Sequence, residues 1–301
     1  MINPILKIIY INQKFDEHPI AKNNKIISWI NYLIYNIKIR KSQRLVKFKW
    51  INNLSIYVEN GDSCLGGNVF LVLMEFSESA FLVHYLNSSD LFVDVGANLG
   101  HFTLLASGIC GSRTIAIEPI PKTYHKLCFN VKKNNINQLV TIKNIGVSNK
   151  RGNLNFTDFQ NNAINFVQNN VDKKSITVPV QTLNNLLKGK SPNVLKIDVE
   201  GFELFVLKGA TEILTNPNLK IIIIELNGHC KRYGNTENEI YKFIINFGFK
   251  PVNYIPFNRK IELLNHYNLN SDNTIFIREI NYVKKRINNG GNIQLNNNIK
   301  L

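Results

Sequence analysis

The chain reads as an α/β protein, a mainly parallel sheet with helices on both faces. Three observations predict this. Short apolar runs at 91–95, 114–117, 140–147, 194–200 and 220–226 alternate with helical patterns. The first run opens LFVDVGANLGHFTLLA (91–106), a strand, a glycine turn and a helix in succession. The runs end on polar residues, Asp94, Glu118, Asp198 with Glu200, and Glu225 with Asn227, at the strand ends where open α/β sheets bind ligands.

In chain order, residues 1–50 read as a basic helical arm. Within it Ile26, Ile30, Leu33 and Ile37 fall on one helix face, with Trp29 and Tyr35 nearby, flanked by Lys22, Lys25, Lys38, Arg40 and Lys41. Such a helix can lie on an anionic surface or cover an apolar patch of the main domain. Residues 47–58 alternate and predict one or two strands. Residues 69–86 carry a helical pattern with Phe70, Leu73, Met74 and Phe81 apolar. After the strand at 91–95 and the helix at 100–108, the strand 114–117 ends in Glu118-Pro119, where the fixed φ of proline stops it. A helix at 122–135 and the strand 140–147 follow. Residues 153–158 and 176–180 predict antiparallel strands around an Asn-rich excursion; 183–187 predicts a short helix. The strand 194–200 opens a helix at 202–210. The run KIIIIEL (220–226) is the most apolar and belongs at the centre of the sheet. A helix at 237–247 precedes a closing hairpin of 249–254 with 273–278. The chain divides into a basic N-terminal arm (1–60), a main domain (61–280) and a basic Asn-rich tail (281–301) expected to fray.

The net charge is +15, but it lies outside the part that carries a motif: the first 60 residues contribute +7 and the last 21 contribute +4. Abundant Lys, Asn and Ile match a compositional bias, and no specific nucleic-acid partner is expected. The four cysteines form no C-x-x-C pair and read as free thiols of a reducing compartment. No signal peptide and no run of ~18 apolar residues is found, so the chain is expected to be cytoplasmic, or peripheral at the inner membrane surface.

The glycine loop matches neither G-x-G-x-x-G nor the P-loop pattern. D-x-G-x-N-x-G resembles the first motif of S-adenosylmethionine (SAM) methyltransferases. Gly96 and Gly100 leave room for a ligand beside the backbone, and Asp94 can stay ionised near the ammonium of a methionine moiety. Glu118, 24 residues on, can accept hydrogen bonds from both hydroxyls of a ribose. Asn144 and Gly146 end the third strand, where the same geometry places an adenine. In LKIDVEGFE (195–203) a strand would project Lys196, Asp198 and Glu200 to one face, an expensive arrangement unless the groups are paired or used. Asp198 is the first choice to orient or deprotonate an acceptor hydroxyl, with Glu200 next and Lys196 tuning the pair. Asp198, Glu225 and Asn227 can furnish oxygen ligands for Mg²⁺. The bland alternative is Asn227 capping a turn, and a metal is not favoured. His101, after Gly100, can touch cofactor or substrate.

Taken together, FVDVGANLG (92–100), IEP (117–119), TL (182–183), LKIDVEGFELFVLKGA (195–210) and IIIIEL (221–226) resemble the FkbM family of SAM-dependent methyltransferases, over about residues 66–280. The resemblance implies a Rossmann-like sheet of seven strands with the last antiparallel, and methyl transfer to an oxygen of a small molecule, sugar or glycolipid. It also implies SAM binding by Asp94, Gly96, Asn98, Gly100 and Glu118, and a second signature in Lys196, Asp198, Glu200 and Glu203. Where the family has T-L-D-D or T-L-D-E, this chain has Thr182-Leu183-Asn184-Asn185, which leaves a capping role and no carboxylate. An RNA-directed methyltransferase and a non-catalytic SAM-fold interaction protein are the alternative readings. The sequence does not fix the oligomeric state.

Overall fold

The computed structural model describes residues 4–157, 165–168, 175–296 and 299–301. The substrate-facing loop expected at 158–170 lies largely outside the described residues.

Two helices open the chain, α1 (Pro4–Glu17) and α2 (Lys25–Lys41), followed by a hairpin of β1 (Val46–Lys49) and β2 (Ser55–Val58). The helical pattern at 69–86 is broken. It forms α3 (Ser63–Gly66), α4 (Asn68–Leu71) and α5 (Phe76–Tyr85), because Val72 and Glu75 both take positive φ and turn the chain between α4 and α5. Next come β3 (Leu91–Val95), α6 (His101–Leu104), β4 (Arg113–Ile117), α7 (Pro121–Lys133), β5 (Val140–Lys143), β6 (Gly146–Val147), β7 (Gly152–Thr157), β8 (Val167–Gln168) and β9 (Ser175–Gln181). Then follow α8 (Leu183–Leu186), β10 (Val194–Ile197), α9 (Glu203–Lys208), α10 (Thr211–Thr215), β11 (Ile221–Glu225), α11 (Glu237–Ile245), β12 (Lys250–Ile255), β13 (Lys260–Leu263), β14 (Asn273–Ile277) and α12 (Ile280–Asn288).

The main sheet runs β13-β12-β14-β11-β10-β3-β4-β5. Strands β5, β4, β3, β10 and β11 are parallel, and β14 lies antiparallel between β11 and β12. The sheet therefore has eight strands where seven were expected. The expected antiparallel pairing of 249–254 with 273–278 is present as β12 with β14, and the extra strand, β13, lies between them in sequence and extends the sheet edge as a hairpin with β12. Both faces are buried, and β11 shows why its run is unbroken. Ile221 and Ile223 pack with Phe81, Phe92 and Phe102 on one side, and Ile222 and Ile224 pack with Leu207, Leu214 and Ile244 on the other. The third apolar run splits: β5 ends at Lys143, and β6 joins a separate four-stranded sheet, β6-β9-β7-β8, over the carboxyl end of the main sheet.

Local chemistry sets the helix starts. Pro121 opens α7 from its first turn. Thr236 and Glu239 form a capping box on α11. Thr182 accepts the Asn185 amide at the start of α8, and Asn184 Oδ1 accepts the amides of Glu212 and Ile213 at the start of α10. The Asn that replaces an acid here is thus a helix cap.

The described residues of 281–301 are held against the domain, where fraying was expected. Val283 and Ile287 of α12 are buried against the sheet, and Ile293, Leu295 and Leu301 are buried with them. Asn281, Asn288, Asn289 and Asn292 fill exposed positions between these apolar anchors, which hides the anchors from a composition reading. Arg286 adds an ion pair to Asp90 and donates to the Tyr85 carbonyl.

Candidate active site

The parallel register brings three strand ends together. Asp94 pairs with Ala116 on one side and with Lys196 on the other, so Glu118, one residue past β4, lies at the same carboxyl edge on the adjacent strand.

Asp94 is buried. Its Oδ2 accepts the Thr103 hydroxyl at 2.7 Å. Burial raises its pKa, opposed by the charge of Lys196. Lys196 donates to Asp198 Oδ2 at 2.7 Å and lies 4.6 Å from the centre of the Phe102 ring. Burial opposes the ammonium charge, but Asp198, Glu75 and Asp94 around it outweigh that and raise its pKa, so it stays protonated.

Strand β10 ends at Ile197, so Glu200 does not share a strand face with Lys196 and Asp198 as the alternation predicted. Glu200 sits in the following turn at φ 55, and its Oε2 lies 2.9 Å from His229 Nδ1. Burial, then Asp198 and Glu203, push its carboxyl up to about 7. Glu203 ties the same turn, accepting the amides of Val199 and Gly201, and its role is to brace the backbone.

The two loop glycines also serve packing. A Cβ on Gly96 would stand 1.8 Å from the Asp198 carbonyl oxygen, and one on Gly100 would stand 2.6 Å from Leu127. Both have positive φ. Gly96 is therefore what lets the Asp198 segment approach the first loop. Glu118 is buried, and its two oxygens accept the amides of Asn98 and Ile120 at 2.9 Å each. Burial pushes its carboxyl up to about 7 against those two hydrogen bonds. Asn144 donates to the carbonyls of Glu118 and Pro119 and so fastens the strand ends together. Gly146 lies in the wall of an apolar cleft beside Glu118, lined by Ile117, Pro119, Ile145, Val147, Phe156 and Val199. The cleft is narrow, and its apolar lining is of the chemistry that takes the face of an aromatic base, while Glu118, between the lining residues Ile117 and Pro119, keeps lone pairs on its oxygens for hydroxyl donors.

The expected oxygen cluster for a metal is rearranged. Glu200, Glu225 and His229 bring ligand-type atoms within 4.8 Å of one another, whereas Asn227 bonds His229 through both its Nδ2 and its Oδ1 and caps the turn. Burial and then Asp198, Glu200 and Glu203 drive the Glu225 carboxyl up to about 11. His101 does not face the site as a free group. It is buried between Asn68 and Ser79, against Trp50 and Phe102, and burial followed by Lys196 lowers it to about 3.

Two residues that sequence reasoning passed over belong to this cluster. Glu75, in the turn between α4 and α5, accepts from Asn273 Nδ2 at 2.8 Å. Burial pushes its carboxyl up to about 7, with Lys196 opposing and Asp198 reinforcing the shift. Glu78 is buried one turn further on and raised to about 7 for the same first reason. Both line a cavity of about 840 Å³ between α1, the α3–α5 segment and the loop before β14. Its wall is mixed: Asn253, Asn268, Asn270, Ser271 and Asp272 line one part, and Ile11, Phe70, Leu71, Met74 and Leu264 another. Only the break between α4 and α5 delivers Glu75 there, and no glycine or proline in 72–75 signals that break.

A family model described as Methyltransferase FkbM domain matches residues 94–251, a span that includes every element of this edge from Asp94 to His229. The chain belongs to the FkbM methyltransferases. Among curated relatives, the hexuronic acid methyltransferase AglP of Haloferax volcanii is 30% identical over 146 residues, 48% of this chain and 59% of AglP. The methyltransferase sdnD of Sordaria araneosa is 27% identical over 172 residues, 46% of this chain and 66% of sdnD. The chain spans about six tenths of the length of AglP. Among solved structures, M. jannaschii TYW2 in complex with AdoMet is 14% identical with a TM-score of 0.40, covering 79% of this chain and 88% of that one. The fold assignment rests on the strand order, not on that score.

Proposed function

We propose that this FkbM-family chain is a SAM-dependent methyltransferase acting on a hydroxyl oxygen of a small molecule, sugar or glycolipid. The supporting observation is the position of Asp198 between two differently lined spaces. Its backbone touches Gly96, in the wall of the apolar cleft. Its carboxylate interacts electrostatically with Glu75 and Cys64, which line the large cavity. An apolar cleft next to the Glu118 carboxylate suits the donor, and a large cavity whose wall mixes amides, hydroxyls and acids with apolar side chains suits an acceptor that carries both hydroxyls and apolar surface. The printed substrate class of AglP, a hexuronic acid, agrees with that choice.

When bound, SAM supplies a methyl carbon on a positively charged sulfur, open to in-line attack by an oxygen. The chain's own work is positioning and proton removal. Ile117, Ile145 and Val147 would hold the base, Glu118 the ribose, and Asp94 the charged amino-acid end. Asp198 takes the hydroxyl proton on Oδ1, the oxygen that Lys196 does not engage. Lys196 fixes the other oxygen, and its unshared positive charge balances the acids around it. Glu200, held by His229, is the second candidate base.

The experiment is mass spectrometry of polar and lipid extracts from cells carrying the wild-type chain, Asp198→Asn, or neither. A species heavier by one methyl group that appears with the wild type alone supports the reading. Identical extracts from all three remove it.

A further inference from the structure

We propose that the outer face of α1 and α2 is a docking surface for an anionic lipid bilayer. Ten of the fourteen exposed large apolar side chains among the described residues lie on these two helices. On α2 they form one stripe: Ile26, Ile30, Leu33 and Ile37 at helical spacing, widened by Ile27 and Ile34, with Ile26 78% exposed. The helix cannot roll to hide them, because its opposite face is already engaged. Trp29 packs on Phe15, Tyr32 on Phe70, and Tyr35 on Phe48. Leu6, Ile8 and Ile9 of α1 are exposed as well.

Charge selects the occupant. Residues 26–37 carry no charge, and α2 carries no acid. Lys38, Arg40 and Lys41 at its end, with Lys7 on α1, are exposed and make no ion pair among the described residues. A second copy of this chain would meet the face with the same basic rim, bringing like charges together. Anionic headgroups neutralise the rim while the aliphatic stripe enters the acyl boundary. The geometry is in-plane. Helix α2 is 17 residues long, about 25 Å, but its uncharged stretch is too short for the ~20 residues a span needs. Among the described residues no single helix is long and apolar enough to cross a membrane. Tyr10, Ile11 and Lys14 of α1 also line the large cavity, so docking would bring the lipid surface close to its mouth.

The test is flotation of the full chain with vesicles of phosphatidylglycerol and phosphatidylcholine, and with phosphatidylcholine alone, at low and high salt. The expected result is binding to the anionic vesicles that weakens with salt. I30D/L33D should lose about tenfold or more, and K38Q/R40Q/K41Q on the order of a hundredfold at low salt. Both variants should keep the wild-type circular dichroism. Should I30D/L33D unfold, the charge variant, whose three side chains are exposed and whose one ring contact is Lys38 over Phe48, carries the test. No binding to anionic vesicles, equal binding to neutral ones, or a concentration-dependent dimer that the variants turn monomeric would overturn the proposal. None of these outcomes depends on the methyl-transfer reading.

Discussion

The carboxyl edge of the sheet and the outer face of α2 break the ordinary rule of burial in opposite directions. At the edge, Asp94, Lys196, Glu118 and Glu203 are taken out of water, though charged groups are rarely buried unless paired. On α2, six aliphatic side chains stand in water, though such residues belong in the core. The difference teaches what each region was shaped for. The buried charges have partners at short range, Lys196 to Asp198 and Glu118 to two amides, so the fold accounts for holding them. The exposed aliphatics have no partner among the described residues, and the bilayer proposed above would supply one.

The comparison predicts large effects at the edge and small ones on α2. Asp198→Asn should lower single-turnover methyl transfer by about 10²–10⁴-fold, the usual contribution of a general base, while calorimetric SAM affinity stays near wild type. Retained turnover would transfer the role to Glu200. Gly96→Ala should cost about 2–4 kcal/mol in urea unfolding, since the new methyl meets the Asp198 carbonyl at 1.8 Å and φ is +79. An unchanged midpoint would mean that the two loops do not touch as described.

Glu118→Ala should weaken SAM binding by ~1.5–3 kcal/mol, the worth of hydrogen bonds to a charged group. Its pH dependence has a definite sign. Burial pushes the free carboxyl up to about 7, and hydroxyls donate more strongly to the ionised form, which accepts on both oxygens, so affinity should rise with pH through that value, by up to about tenfold from about pH 6 to about pH 8. Glu118→Gln should flatten the curve. The smallest effect belongs to α2: Ile30→Asp should shift the unfolding free energy by less than ~0.5 kcal/mol, because the side chain is 50% exposed. A loss of several kcal/mol would place that residue in a core and erase the contrast.

What was legible in the sequence follows the same division. Asp94, Glu118, Lys196 and Asp198 are carried by local patterns, a strand ending in an acid and a glycine, and the parallel sheet aligns such ends automatically. Gly96 and Gly100 were legible as special, and the structure adds a packing reason that the sequence does not show: Gly96 meets the Asp198 carbonyl and Gly100 meets Leu127. Glu200 was placed on a strand that ends three residues earlier, since alternation cannot see the positive φ that turns the chain there. Glu75 was not legible at all. Its neighbours Phe70, Leu73, Met74 and Phe81 fit a single helix, and the break at Val72 and Glu75 is set by tertiary packing, including Trp50 Nε1 donating to the Val72 carbonyl at 2.7 Å. The tail was misread for the opposite reason: seven asparagines mask the apolar anchors Val283, Ile287, Ile293 and Leu301.

The most direct measurement is a calorimetric titration of the purified chain with SAM, wild type beside Glu118→Ala. Saturable binding at one equivalent, weakened in the variant, is the predicted result. No heat with the wild type, or equal affinity in both proteins, would contradict a donor held between the apolar cleft and the acids at the ends of β3 and β4.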